Sequence, residues 1–381
     1  MINIAVLTSS RADYGIYRPL LFKIQADDDI DMSILVFGTH LSPYHGNTIN
    51  QIIADGFEVT QKIESLVIGD TPAAIASSMG LTLLKFADVW EKAEQNIDLI
   101  LCLGDRYEMF SAVSASIPFN IPVAHIHGGE TTLGAIDNKF RHALTHMAKY
   151  HFVSTELYAD RVKQLINDDR YIYNVGALSL DNIQDVKLLS VSEFKERYDI
   201  DLNKPSILLT FHPETVDNHH SLESIRTVIS VLEVVTQYQV IITLPNADTH
   251  NDIIRRELLD FIQNNRNRSH LIETFGTRGY FSCMKHCSFL MGNTSSGIIE
   301  AASFGKYVID IGDRQKGRIA NDNIFHVPIN HENILFAVEQ VQRLGGYKKG
   351  NLYWNGGAAD KIISVLKSLK KKENYEDNLL C

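Results

Sequence analysis

In its C-terminal half the chain reads SFLMGNTSSGIIEAASFG: a short apolar run, a turn of small polar residues, then a helical pattern. A turn of this kind aims the unsatisfied N–H groups of a helix start, with the hydroxyls of Ser295 and Ser296, at one point that suits a phosphate. Gly297 permits close backbone approach. Glu300, four residues beyond Ser296 on the same helix face, offers a carboxylate able to hold a ribose diol. Ordinary N-capping by Ser or Thr explains one hydroxyl but not the whole run. Two more apolar runs end in TFHPE and TLPNAD, bringing His212 and Asn246 to positions from which each can donate to phosphate oxygens. A satisfied loop histidine is the plainer reading of the first. IGDRQKGR adds Arg314, Lys316 and Arg318 for phosphate, ribose or base, with surface solvation as the alternative.

The N-terminal half carries a different inventory at its apolar-run ends: TSSRADYG, LGDRYEM and HIHGGETTLGAID. Asp105, His127, Glu130 and Asp137 are expected to cluster there. Carboxylates beside imidazoles are what paired acid–base chemistry on a sugar requires, because crowding pushes their pKa values apart. Taken singly, Asp105 with Arg106 also reads as a structural turn pair, and Glu130 as a helix-start carboxylate. RHALTH spaces His142 and His146 as zinc ligands are spaced in HExxH, but the glutamate is missing, so a core or cleft-facing histidine pair is the better account. Cys283, His286 and Cys287 lie within one helical turn and read as packing residues. No metal is expected.

Apolar runs at 2–7, 32–37, 97–103, 121–126 and 150–154 predict strands that position the first set of residues. Runs at 206–212, 239–245, 288–292 and 307–312 do so for the second. Each is nearly continuously apolar, as in a parallel strand covered on both faces, and helical patterns such as 72–95, 137–149, 219–236 and 251–264 separate them. The predicted class is α/β, two Rossmann-like, doubly wound domains facing across a cleft. The pattern lapses over the polar stretch 179–204, where the junction is expected. Ligands of open parallel sheets bind beyond the strands' carboxyl ends, so two such sheets make a cleft.

At 381 residues, with 45% hydrophobic and 22% charged side chains, the chain has the length of two ordinary domains and a soluble globular composition. A net charge of -10 offers no general attraction to nucleic-acid backbones or anionic lipid. Four cysteines make no disulfide framework. The N-terminus lacks the basic region of a signal peptide, and no run of eighteen apolar residues occurs. A cytoplasmic protein without membrane or nucleic-acid partners is expected. Neither GxxxxGK[ST] nor GxGxxG is present, which removes the main support for a P-loop ATPase or a simple dinucleotide dehydrogenase.

These motifs together resemble the hydrolysing UDP-N-acetylglucosamine 2-epimerases of sialic-acid and legionaminic-acid pathways. The resemblance rests on TSSRADYGIYRPLL at 8–21, GTHL at 38–41, GDR at 104–106 and HIHGGE with GAID and RH between 125 and 142. It continues through HPET at 212–215, LPNAD at 244–248, GNTSSGIIEA at 292–301 and GDRQKGR at 312–318, in family order. It implies the arrangement called GT-B, with UDP held mainly by the second domain. It also implies a C-terminal helix, about 358–372, crossing back onto the first, so that 1–178 with 358–381 form one domain and 179–357 the other.

Carried over, His212, Asn246, Ser295, Ser296 and Gly297 bind the diphosphate, Glu300 the ribose and Arg314 the ribose or uracil region. Arg11 and Arg106 reach in from the first domain, and Asp105 and Asp137 match acidic positions considered catalytic. Some members have glutamate where this chain has His127, which leaves open whether His127, Glu130 or Asp137 performs each proton transfer. The implied reaction takes UDP-GlcNAc to N-acetylmannosamine and UDP. Loss of UDP from C1 makes the C2 proton removable, and water then adds to the resulting 2-acetamidoglucal. No cofactor is required, and a dimer or tetramer is implied. The alternatives are the same reaction on UDP-N,N'-diacetylbacillosamine, a GT-B glycosyltransferase, and a non-catalytic nucleotide-sugar sensor.

Overall fold

The computed structural model describes residues 1–69, 71–93, 96–214, 220–243, 251–273 and 275–369. The first half builds a seven-stranded sheet from β1 (Ile2–Thr8), β2 (Ile30–Phe37), β3 (Val59–Ile63), β4 (Leu99–Leu103), β5 (Val123–Ile126), β6 (Tyr150–Val153) and β7 (Ile172–Asn174). The second builds a six-stranded sheet from β8 (Ser206–Thr210), β9 (Gln239–Thr243), β10 (Ser269–Ile272), β11 (Phe289–Gly292), β12 (Val308–Ile311) and β13 (Ile324–Val327). The spatial orders are β3-β2-β1-β4-β5-β6-β7 and β10-β9-β8-β11-β12-β13, with every pairing parallel. Both are the doubly wound order. Each sheet reverses its direction of growth once, between β1 and β4 and between β8 and β11, and the crevice at such a switch point is where open α/β sheets bind ligands.

Continuous apolar runs predict the central strands because those strands are buried on both faces, as β4, β5, β6, β8 and β11 are along their whole length. The four unpredicted strands, β3, β7, β10 and β13, are the four sheet edges, and at least half of each is partly exposed. The polar stretch 179–204 holds two short helices, Asp181–Asp185 and Val191–Tyr198. Its polarity is capping chemistry. Ser190 and Glu193 form a capping box, and Asp181 accepts from the backbone N–H of Ala358 and Ala359 at 3.1 and 2.7 Å. That cap seats the helix Ala358–Ser368, whose Ala359, Ile362 and Leu366 complete the core beneath the first sheet. Cys283 and Cys287 are buried in a hydrophobic cluster of the second half. His142 is half-buried, but His146 is exposed, which departs from the expected core or cleft-facing pair. Among the described residues no helix is long and apolar enough to cross a membrane.

Candidate active site

The loop after β1 is shaped by a residue not singled out in the sequence. Asp13 accepts from Thr8 Oγ1 at 2.7 Å, Ser9 N at 2.9 Å and Ser9 Oγ at 2.8 Å, and forms a capping box with Ser10 at the start of the helix Arg11–Gln25. Burial would raise its carboxyl, but the hydrogen bond and charge of His40, with these donors, hold it below the ordinary carboxylate range. The loop is thereby rigid, and Arg11 leaves it to donate to the Glu273 carbonyl of the other half at 3.1 Å.

After β4, Gly104 turns the chain at a φ of 80°, and its carbonyl accepts the Nε2 proton of buried His125 at 2.7 Å. Asp105 then ion-pairs with Arg141, and Arg106 meets Glu108 with two hydrogen bonds, at 3.1 and 3.0 Å. Asp105 and Arg106 are therefore not a turn pair with each other. After β5 the chain enters HGGE with His127 at a φ of 65°. That left-handed conformation is strained for a residue with a side chain, and such strain concentrates at functional sites. Gly129 is required here, because a Cβ on it would sit 2.6 Å from the Tyr158 carbonyl oxygen.

Glu130 is not at a helix start. It is 1% exposed and the centre of a network joining both halves. His127 Nδ1 lies 2.7 Å from its Oε1, Ser154 Oγ donates to Oε1 at 3.0 Å, and Arg141 Nη1 and Arg318 Nη2 each approach Oε2 to 3.1 Å. Burial alone would push this carboxyl up, but Arg318, His127 and Arg141 outweigh it and hold it well below the ordinary range. Asp105 is likewise lowered, with Arg141 overriding its burial. The two carboxylates, Asp105 and Glu130, balance the two guanidiniums, Arg141 and Arg318. With an ionised acceptor at Nδ1, the His127 proton belongs on that nitrogen, leaving the Nε2 lone pair. Nε2 is buried without a hydrogen-bond partner among the described residues.

In the second half, His212 follows β8 and the Asn293–Ser296 turn follows β11. Asn293 ties the two: its Oδ1 accepts from His212 N at 2.7 Å and its Nδ2 donates to the His212 carbonyl at 2.9 Å. The helix Ser295–Ile299 has only five residues before it tightens into Ala301–Phe304. It therefore presents free N–H groups and hydroxyls rather than a long dipole. Tyr280 OH holds Ser296 Oγ at 2.6 Å. Gly297 lines neither of the two cavities between the halves; a Cβ there would meet Val308 Cγ1 at 3.0 Å, so its smallness serves helix–strand packing. Glu300 is buried, takes a hydrogen bond from Ser179 Oγ on Oε1, and has no partner on Oε2 among the described residues. Burial pushes its carboxyl up to about 7.

Two cavities lie between the halves and share a wall of Ser179, His212, Thr294 and Ser295. One, of about 280 Å³, is lined by Arg11, Tyr280, Ser296 and Glu300. The other, of about 180 Å³, is lined by Asp105, Arg106, His127, Glu130, Asp137, Arg141, Arg314 and Arg318. The structure thus brings together the expected residues except Gly297, Asn246, which lies outside the described residues, and Lys316, which is exposed and pairs with Asp313 at 2.9 Å, as the surface-solvation alternative has it. Arg314 stands with the acids, its Nε 3.4 Å from the Pro213 carbonyl, and not beside Glu300 where the ribose is expected. The sequence reading missed Arg141, Ser154, Tyr280 and Gln315. Two had a signal: Gln315 stands in GDRQKGR, and Arg141 stands in RH and follows Asp137 by four residues on one helix, the spacing that stacks two side chains on one face.

The model of the UDP-N-acetylglucosamine 2-epimerase family matches residues 22–367. The chain is 35% identical over 328 residues to the GDP/UDP-N,N'-diacetylbacillosamine 2-epimerase (hydrolyzing) of Campylobacter jejuni, covering 86% of this chain and 85% of that one. It is 34% identical over 367 residues to the UDP-N,N'-diacetylbacillosamine 2-epimerase (hydrolyzing) of Legionella pneumophila, covering 96% of each. Its fold matches the crystal structure of the Neisseria meningitidis UDP-GlcNAc 2-epimerase bound to UDP-GlcNAc with a TM-score of 0.81, at 17% identity over 97% of this chain and all of the other. With a family match over most of its length and two relatives above 30% identity, the chain belongs to the UDP-N-acetylglucosamine 2-epimerase family and is an enzyme of it.

Proposed function

We propose that this enzyme hydrolyses a UDP-linked 2-acetamido sugar to UDP and the free sugar epimerised at C2. The observation that carries this reading is the pair of joined cavities with unlike chemistry. One offers hydroxyls, helix-start N–H groups, Arg11 and a buried carboxyl, suited to a nucleoside diphosphate. The other offers a cluster of acids, arginines and an imidazole, suited to moving protons on a sugar ring. They meet at His212 and Ser295, where the bond between the two parts of the substrate would lie.

The C1–O bond breaks first, its electrons leaving with UDP. Ser295, Ser296 and His212 receive the developing charge, and loss of one preorganised donor of this kind costs about 3 kcal/mol, on the order of a hundredfold in rate. A base then takes the proton from C2, and the C–H electrons form the C1=C2 bond of a 2-acetamidoglucal. Water adds its oxygen to C1 as C2 regains a proton on the opposite face, and the proton that the water gives up restores the acid that supplied it. Glu130 accepts from four donors and is held ionised, so it neither gives nor takes this proton. It orients His127. His127 Nε2 and Asp137 are the pair between which C2 loses and regains its proton.

UDP-GlcNAc, giving N-acetylmannosamine, and UDP-N,N'-diacetylbacillosamine both fit this chemistry. The 35% and 34% identities of the relatives named for the second favour it, against 28% for the Neisseria meningitidis UDP-N-acetylglucosamine 2-epimerase. The same reading makes the enzyme a cytoplasmic homo-oligomer, which light scattering on the purified chain tests. An NMR time course in heavy water with each sugar nucleotide tests the reaction. Release of UDP with a C2-deuterated, C2-epimerised free sugar is expected, and a released sugar carrying protium at C2 overturns it.

A further inference from the structure

Several buried polar atoms without a partner among the described residues belong to side chains on the wall of the acid-lined cavity: His127 Nε2, Thr132 Oγ1, Arg141 Nε, Gln315 Oε1 and Arg318 Nε and Nη1. Buried groups left in this way cost free energy until something supplies the missing hydrogen bonds. Most of them are donors or can act as one. Gln315 Oε1 can only accept, as can the lone pair of His127 Nε2.

Its orientation is set by its own other end. Gln315 Nε2 donates to the Asn293 carbonyl at 2.8 Å, and because a carbonyl only accepts, the amide cannot be flipped. Gln315 is 1% exposed, and Oε1 has no partner among the described residues. Arg318 is held at a set distance from it by a turn in which Arg318 N donates to the Gln315 carbonyl at 3.1 Å. One short turn therefore brings a lone acceptor and a guanidinium with two unused N–H groups to one cavity. A hydroxyl can donate to the first and accept from the second only through its single oxygen. A secondary amide uses both, since its N–H and C=O point in opposite directions and must find an acceptor and a donor on separate sides.

We propose that Gln315 and Arg318 form the subsite for an acetamido group of the substrate, Oε1 accepting its N–H and the guanidinium donating to its carbonyl. This deepens the reading of the enzyme as acting on a UDP-linked acetamido sugar and rests on it. Gln315 is then the residue that separates amide-bearing from hydroxyl-bearing sugars. A site built to pair with a polar substrate group rejects the analogue lacking it, because its own buried groups are left unpaired.

The test uses the full chain and calorimetry with UDP and three phosphonate analogues, in which CH2 replaces the anomeric oxygen so that nothing turns over. Their sugars are glucose, N-acetylglucosamine and N,N'-diacetylbacillosamine. In Gln315→Met, affinity for UDP and for the glucose analogue should stay within about twofold, while an acetamide-dependent preference of the wild type falls about tenfold. Loss of the preference for the N-acetylglucosamine over the glucose analogue supports the subsite and assigns it to the C2 amide. Loss of the preference for the diacetyl over the monoacetyl analogue supports it at C4. Equal weakening of all four ligands shows Gln315 serving only to hold Asn293 and the His212 loop, and overturns the proposal, as does no change at all. If these preferences behave as expected but the wild type fails the heavy-water assay, the fault lies in the proposed reaction rather than in the subsite.

Discussion

Replacing Glu130 with glutamine keeps its shape and removes one charge. Every group around the carboxylate donates: His127 Nδ1 at 2.7 Å, Ser154 Oγ at 3.0 Å, and Arg141 and Arg318 at 3.1 Å each. A glutamine must turn its NH2 group toward some of these donors. Arg141 keeps Asp105, but Arg318, 7% exposed at its side chain, loses its only ion-pair partner among the described residues. Breaking a buried pair from one side costs about 3–5 kcal/mol. At about 2–4 °C per kcal/mol for domains of this size, the melting temperature of Glu130→Gln should fall by roughly 6–20 °C. Arg318→Met should cost less, because Glu130 still has Arg141, His127 and Ser154. The double variant removes the stranded cation together with its partner, so it should be more stable than the sum of the single losses by about 1–3 kcal/mol. Thermal and urea unfolding of the four proteins completes the cycle. A Glu130→Gln protein melting within two or so degrees of wild type, or strictly additive losses, refutes the network as drawn.

Asp137→Asn should abolish sugar release while leaving UDP affinity within severalfold, and full turnover in this variant would remove Asp137 from the proton transfers. If ionised Glu300 holds a ribose diol, uridine prefers the deprotonated site; with a folded pKa of about 7, affinity should rise about tenfold from pH 6 to pH 8 and be flat in Glu300→Gln. Uridine avoids the phosphate titration, and a flat wild-type profile by calorimetry counts against the contact. His151 is fully buried, and burial lowers its pKa to about 4. Below the ordinary histidine value of about 6.5 the unfolded chain takes up a proton that the native protein refuses, so this group's contribution is lost as pH falls. The stability advantage of wild type over His151→Leu should therefore shrink, or its deficit grow, by about 1.2 kcal/mol per pH unit between pH 6 and 4.5, and a constant difference in urea titrations refutes it. Asp13→Ala should cost at least about 3 kcal/mol, since it strands buried donors of Thr8, Ser9 and Ser10 as well as removing a cap; a loss under about 1 kcal/mol shows that the loop rearranges.

The central strands are legible because a strand with both faces buried must be apolar at nearly every position, and no other local pattern is that dense. Thus β1, β4, β5, β8 and β11 announce themselves, and with them the carboxyl ends of both sheets, where Arg11, Asp105, His127, His212 and Ser295 stand. The edge strands β3, β7, β10 and β13 need no such density, since neighbours cover them incompletely. Residue types at the strand ends also reveal the two kinds of chemistry. What they do not reveal is partnership. That Glu130 meets Arg318 from the other half, that Asp105 takes Arg141 rather than its neighbour Arg106, and that Gln315 turns its NH2 toward Asn293 and its oxygen away are matters of distance between groups remote along the chain. Coulomb energy and hydrogen bonding depend steeply on that distance and on burial. Which carboxylate is locked, and which imidazole nitrogen and which amide oxygen are left without a partner among the described residues, were therefore decided only when the two sheets came together.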